Sequence, residues 1–157
     1  MKLLHLDEVI GIPAAAFGIL YFLVHLALPA PHWFEVTKFE VQDAVAGDPV
    51  IIDYARIIAR PFWADWRVEV TRIDGGEISQ TCSTVWQRED YDPKSRLPDV
   101  VDLEWLAYIE PKCFDLPPGD YRVTVKWFIN PIGLKRFLLG RTASVSDTFT
   151  IMPGGGV

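Results

Sequence analysis

From Val9 to Ala30 the chain reads VIGIPAAAFGILYFLVHLALPA, an apolar run without a charge. As a helix of about 22 residues at 1.5 Å each it would reach about 33 Å, enough for a bilayer core of about 30 Å. A transmembrane helix over residues 9–30, behind an N-terminal flank of residues 1–8, is therefore expected. Asp7 and Glu8 end the run on one side, and Pro31, His32, Trp33 and Phe34 place aromatic rings where a lipid interface would lie. Pro13 falls in the first turn, where a missing N–H does little harm. A cleaved signal peptide is the competing reading, with an apolar core of about 7 to 15 residues behind a positive region. Here Lys2 is opposed by Asp7 and Glu8, and Leu28 fits poorly three residues before a cut near Ala30. The expectation is an uncleaved signal-anchor; a buried helix of a soluble fold is the remaining reading.

Gly11, Ala14, Ala15 and Gly18 follow helical spacing on one face, and the stripe continues through Tyr21, Phe22 and His25. Small residues let helix backbones approach closely in lipid, so this face is expected to pack against another helix. Ile12, Ile19, Leu23 and Leu26, on the opposite face, suit lipid. An ionisable residue at membrane depth invites a functional reading. His25, about a turn from the interface, fits helix packing better than proton or metal chemistry.

Composition removes several classes of function. A net charge of −6 and a pI near 5.0 oppose a grip on nucleic acid, whose phosphates need clustered cations. Half the residues are hydrophobic, with 6 Trp and 9 Phe, so a packed core is expected rather than disorder. The 3 histidines, His5, His25 and His32, all precede Trp33, which leaves the remainder of the chain without a histidine ligand or base. The 2 cysteines, Cys82 and Cys113, lack the spacing of a zinc site. A bridge between them would close a loop of about 30 residues, worth roughly 3 to 4 kcal/mol in the chain-entropy model. It would persist only in an oxidising compartment, which would put the domain in the periplasm or outside the cell. Two unpaired buried thiols are the alternative. The positive-inside rule barely discriminates, because Lys2 faces only Lys38 across the apolar run.

Beyond the anchor, short β-type runs alternate with turn signals. Residues 34–43, 50–60, 66–73, 77–87, 100–109, 120–129 and 143–152 make seven candidate strands. Gly47-Asp48-Pro49 and Asp74-Gly75-Gly76 mark turns, and Arg60-Pro61-Phe62-Trp63-Ala64-Asp65 interrupts the pattern. Such a series without a strong amphipathic helix predicts an all-β antiparallel sandwich over residues 33–152, with a flexible tail at 153–157.

Leu116-Pro117-Pro118-Gly119-Asp120-Tyr121-Arg122-Val123 resembles the turn and strand-F entry of immunoglobulin-like and fibronectin type III-like sandwiches. The resemblance implies a seven-strand immunoglobulin-like fold in which Tyr121 packs at a corner and bonds back to backbone. It departs from the antibody pattern because no Cys lies two residues after Tyr121, so the usual inter-sheet disulfide does not carry over. In that topology the loops after the second, fourth and sixth strands would point at the bilayer. The first of these holds Phe62 and Trp63. The last runs from Asn130 to Arg141 and holds Leu134, Lys135, Arg136 and Phe137. Basic-apolar segments suit lipid headgroups or a partner's membrane-proximal surface; capping of the domain's own core is the alternative.

Enzyme signatures are missing. GxSxG, HExxH, the P-loop and GxGxxG do not occur, and Glu89, Asp90 and Asp92 lack the order of a calcium loop, so residues 88–99 read as a solvated loop. A glycosidase needs two carboxylates flanking a cleft, for which so short a chain offers no second domain. A blue-copper site fails for want of histidines. No cofactor or metal is expected. The reading is a non-catalytic single-pass membrane accessory or assembly subunit, in contact with lipid and with other membrane protein subunits. The alternatives are a membrane-anchored adhesion or receptor module, or a virion or phage envelope protein.

Overall fold

In the computed structural model, which describes residues 16–21, 29–74, 77–98, 100–131 and 141–154, the domain's first strand is β1 (Phe34–Val41). Its sequence FEVTKFEV sets Phe34 and Val36 on one parity and Phe39 and Val41 on the other. An unbroken strand would turn one pair to solvent. The chain instead slips register against β3 (Ile51–Ile58) between Val36 and Lys38, with Thr37 as the extra residue. Phe34 and Val41 are both buried, and Val36 and Phe39 both pack on the core.

The remaining strands are β2 (Ala44–Val45), β4 (Phe62–Asp74), β5 (Glu77–Ser83), β6 (Gln87–Tyr91), β7 (Val101–Asp102), β8 (Gly119–Pro131) and β9 (Arg141–Met152). They form a 3-stranded sheet, β1-β3-β7, and a 6-stranded sheet, β2-β9-β8-β4-β5, with β6 also on β4. All pairings are antiparallel except β2 with β9. Along β4 and β8, Phe62, Ala64, Trp66, Val68 and Val70 meet Tyr121, Val123, Val125, Trp127 and Ile129 in one buried face. The smaller sheet adds Phe34, Val41 and Ile52 to the same core. Each such aliphatic or Phe side chain contributes about 1.5–3 kcal/mol of transfer energy. The chain is thus mostly β, in two layers around a shared core.

Several local expectations are corrected. Residues 62–65 are strand, because Phe62 and Ala64 continue the inward alternation through Trp66. Residues 88–91, read as a solvated loop, belong to β6 and end in buried Tyr91. The run 77–87 is two strands, since Thr84, Val85 and Trp86 leave the edge of β4. Thr84 N–H donates to the Val68 carbonyl at 2.9 Å, and its hydroxyl Oγ1 accepts from Val68 N–H at 3.0 Å. One side chain thus completes the ladder across the break.

The run 100–109 is strand only at β7 and then forms helix α1 (Leu103–Ala107). Leu103, Leu106 and Ala107 are buried at helical spacing, and Asp102 caps the helix by accepting from Trp105 N–H at 2.6 Å. At the other end of the chain, Pro29 has extended geometry and Ala30–His32 is a 3₁₀ turn, so Ala30 does not continue an α-helix.

Cys82, on β5, and Cys113, in the 3₁₀ turn Pro111–Cys113, form a disulfide with Cα atoms 5.4 Å apart. Because α1 follows β7 of the smaller sheet, the bridge ties that sheet's flank to the edge of the larger one. Tyr121 is fully buried, and its hydroxyl donates to the Pro117 carbonyl at 2.7 Å. Its ring stacks 5.7 Å from Phe149. That is the corner hydrogen bond expected from the Leu116 to Val123 segment.

Candidate functional site: the entry end and the outer sheet face

The strand registers decide which connections share an end with the N-terminal segment. Phe34 pairs with Ile58, and Ala59 N–H donates to the Trp33 carbonyl at 2.9 Å. Phe62 pairs with Tyr91 on one side and Pro131 on the other, while Ile129 pairs with Arg141. The start of β1, the β3–β4 connection, the end of β6 and both ends of the β8–β9 connection therefore gather at one end of the two sheets. Beneath them lies an aromatic floor. Phe34 sits 5.7 Å from Phe62, 5.6 Å from Tyr91 and 5.0 Å from Trp127, and Phe62 stacks on Tyr91 at 4.7 Å. Trp127 Nε1 donates to the Tyr91 hydroxyl at 3.1 Å, so the floor's two polar edges satisfy each other.

This floor changes the role of one expected docking residue. Phe62 is fully buried and cannot present its ring to a partner. Trp63, next in the strand, points to the opposite side and is half-buried under the Arg88 guanidinium, 4.2 Å from its ring. Leu134, Lys135, Arg136 and Phe137 lie outside the described residues, as do Gly11, Ala14, Ala15, Phe22 and His25 of the helix stripe. Gly18 and Tyr21 fall in residues 16–21, which are helical and exposed. A Cβ built on Gly18 would meet no atom within 4 Å. Among the described residues no helix is long and apolar enough to cross a membrane, and most of residues 9–30 lies outside them.

Next to this end the outer face of the larger sheet carries an organised set of aromatic and charged groups. Arg88 stacks on Trp63 and holds Asp65 through Nε–Oδ1 at 3.0 Å and Nη2–Oδ2 at 3.4 Å. Asp65 in turn raises the Arg88 pKa by hydrogen bonding. Arg67 lies 4.7 Å over the Trp86 ring and pairs with Glu69, which also takes Lys126 Nζ at 2.6 Å. Trp86 is 50% exposed and Phe128 42%, and with Asp65 they border a shallow depression of about 340 Å³. Sequence reasoning missed this face. Its signal is the parity of β4, where Trp63, Asp65, Arg67 and Glu69 alternate with the apolar Ala64, Trp66, Val68 and Val70.

At the far end a groove of about 630 Å³ is bordered by Asp48, Asp102, Glu104 and Asp115 over an apolar floor that includes Val50 and Leu103. No Lys or Arg is among its described lining residues. Among the described residues no group of three or more His, Cys, Asp or Glu could hold a metal ion. The chain matches no protein-family model, no curated protein and no solved structure.

Proposed function

We propose that the chain is a single-pass membrane protein whose immunoglobulin-like sandwich lies outside the cytoplasm and acts as a non-catalytic accessory or assembly subunit of a larger membrane complex. The observation that carries this reading is the gathering of the β3–β4 and β8–β9 connections at the end where the N-terminal segment enters. An apolar run of about 22 residues in lipid would bring that end, and with it the basic-apolar stretch Leu134 to Phe137, to the bilayer surface. The small-residue stripe then permits close approach of a partner helix directly below the same loops. The Cys82–Cys113 disulfide supports the oxidising side of the membrane.

Ala15→Leu tests the reading, because a bulky side chain on the stripe should lower recovery of co-purifying membrane subunits at least several-fold while leaving domain melting unchanged. Phe137→Ala should add to that loss if the side chain anchors an interface. Unchanged recovery for Ala15→Leu together with a lowered melting temperature for Phe137→Ala would defeat it, since the helix would then be a plain tether and the loop part of the core. The second reading is a receptor module that presents its far end. The acidic far groove favours it, because carboxylates over an apolar floor complement a basic-apolar segment of a soluble partner. Partner burial at Asp48, Glu104 and Asp115, with the entry end left free, would select it.

A further inference from the structure

Along β6 the two layers part, and α1 stands over the gap. The outer part of this cleft, bordered by Trp66, Gln87, Arg88, Glu89, Trp105 and Tyr108, encloses about 220 Å³. It narrows inward, past Trp66, Glu89 and Trp105, to a recess of about 10 Å³, room for one water, beside Tyr54, Arg56 and Tyr91. The Arg56 guanidinium lies 5.0 Å over the Tyr91 ring and 6.0 Å over that of Tyr54, contacts that leave its Nε–H unused. Arg56 Nε and Gln87 Nε2 are buried and have no hydrogen-bond partner. Orphan donors of this kind are rare and costly, so they point to an acceptor not supplied by the fold. Burial keeps the Tyr54 hydroxyl protonated, its pKa pushed up to about 12. Glu89 shares the parity of Gln87 on β6 and brings an exposed carboxylate that can only accept. At the mouth Trp105 and Tyr108 leave their rings 42% and 62% exposed.

The combination selects a class of ligand. A purely apolar guest would leave the Gln87 donor unpaired. The Arg88 charge at the rim is already answered by Asp65; an anion would gain Arg56 and meet Glu89, and a cation would gain Glu89 and meet Arg56, so neither sign of charge is favoured. A neutral ring that carries hydroxyls and exposes a C–H face uses every group present. We propose that this cleft binds one pyranose ring of a neutral saccharide. Trp105 covers the C–H face, Gln87 donates to a hydroxyl oxygen, Arg56 donates through one water held in the inner recess, and Glu89 accepts from a hydroxyl hydrogen. The site is on the flank of the sandwich, separate from the entry end, and does not depend on the assembly role proposed above.

The test uses the full chain in a sugar-free detergent with methyl glycosides of glucose, galactose, mannose and N-acetylglucosamine as probes, followed by saturation-transfer NMR and tryptophan fluorescence. At least one glycoside should receive saturation on its ring protons and shift the fluorescence in a saturable way. Trp105→Ala and Gln87→Ala should each weaken that binding by roughly tenfold or more. Trp86→Ala, on the outer face, should leave it unchanged, with melting curves run on every variant to establish folding. Binding that survives both cleft substitutions in folded protein would overturn the proposal. So would the absence of saturation with every glycoside, or displacement of the sugar signal by tetramethylammonium or acetate, which would mark a cation cage or an anion site.

Discussion

Tyr121 couples three facts about one side chain: full burial, a ring stacked on Phe149, and a hydroxyl bonded to the Pro117 carbonyl at 2.7 Å. Tyr121→Phe keeps the ring and removes the donor, leaving a carbonyl without its partner. The expected cost is about 1–2 kcal/mol, read as a lower midpoint in urea unfolding at unchanged slope. An unaltered midpoint would show that water replaces the bond. Tyr54 carries a pH prediction. Burial, partly opposed by the nearby Arg56 charge, raises its pKa from 10.0 to about 12. The folded state therefore holds that proton more tightly than the unfolded chain. The stability contribution is fully present below about pH 10 and is lost as the pH rises from 10 toward 12. Tyr91 shifts in the same direction, again chiefly through burial. Tyrosinate absorbance should thus show a late-titrating fraction that accompanies alkaline unfolding, and Tyr54→Phe should diminish it. Ordinary titration of every tyrosine near pH 10 in folded protein would refute the shift.

At the scale of elements, β1 and α1 show opposite outcomes of pattern reading. The two halves of FEVTKFEV are out of phase by one residue, and the Thr37 bulge is what lets both bury their apolar side chains. Deletion of Thr37 should force Phe39 and Val41 toward solvent or break pairing with β3. A loss of about 3 kcal/mol or more is expected from turning two large side chains outward, measured by denaturant unfolding. A variant with wild-type stability would mean that β1 tolerates either register. The run VVDLEWLAYI reads as a strand by its residue types, yet Leu103, Leu106 and Ala107 satisfy the helical spacing and Asp102 supplies the cap. Five residues are too few for propensity to settle the matter, so burial of Leu103, Leu106 and Ala107 in the core decides it.

For the whole molecule, the two faces of the larger sheet divide the work: one seals the core, the other displays Trp63, Trp86 and Phe128 among paired charges. The proposed anchoring makes a prediction at this scale. Alkaline carbonate washing should leave the protein in the membrane fraction, with its N-terminus upstream of residue 9. Release into the supernatant, or a mature N-terminus near residue 31, would overturn the anchored reading and leave the fold untouched. The disulfide has a matching test in non-reducing peptide mapping. A single Cys82–Cys113 cross-linked peptide is expected from natively isolated protein, and two alkylatable thiols would remove the argument for an oxidising compartment.

The sequence by itself determined the all-β class, the one pair that its 2 cysteines could form and the corner role of Tyr121. These are local or compositional properties: alternation of period two, a short turn motif, and a cysteine count that leaves one possible pair. Tertiary structure alone decided which loops share the entry end, because strand register depends on pairings between residues far apart in the chain. It also decided that Phe62 lies in the core while Trp63 faces outward, and that Tyr54, Arg56, Gln87 and Trp105, drawn from two strands and a helix, surround one cleft. Adjacent residues in a strand differ only by the side of the sheet they occupy, and a cleft is a property of the space between elements. Neither can be read from a chain until its layers are packed.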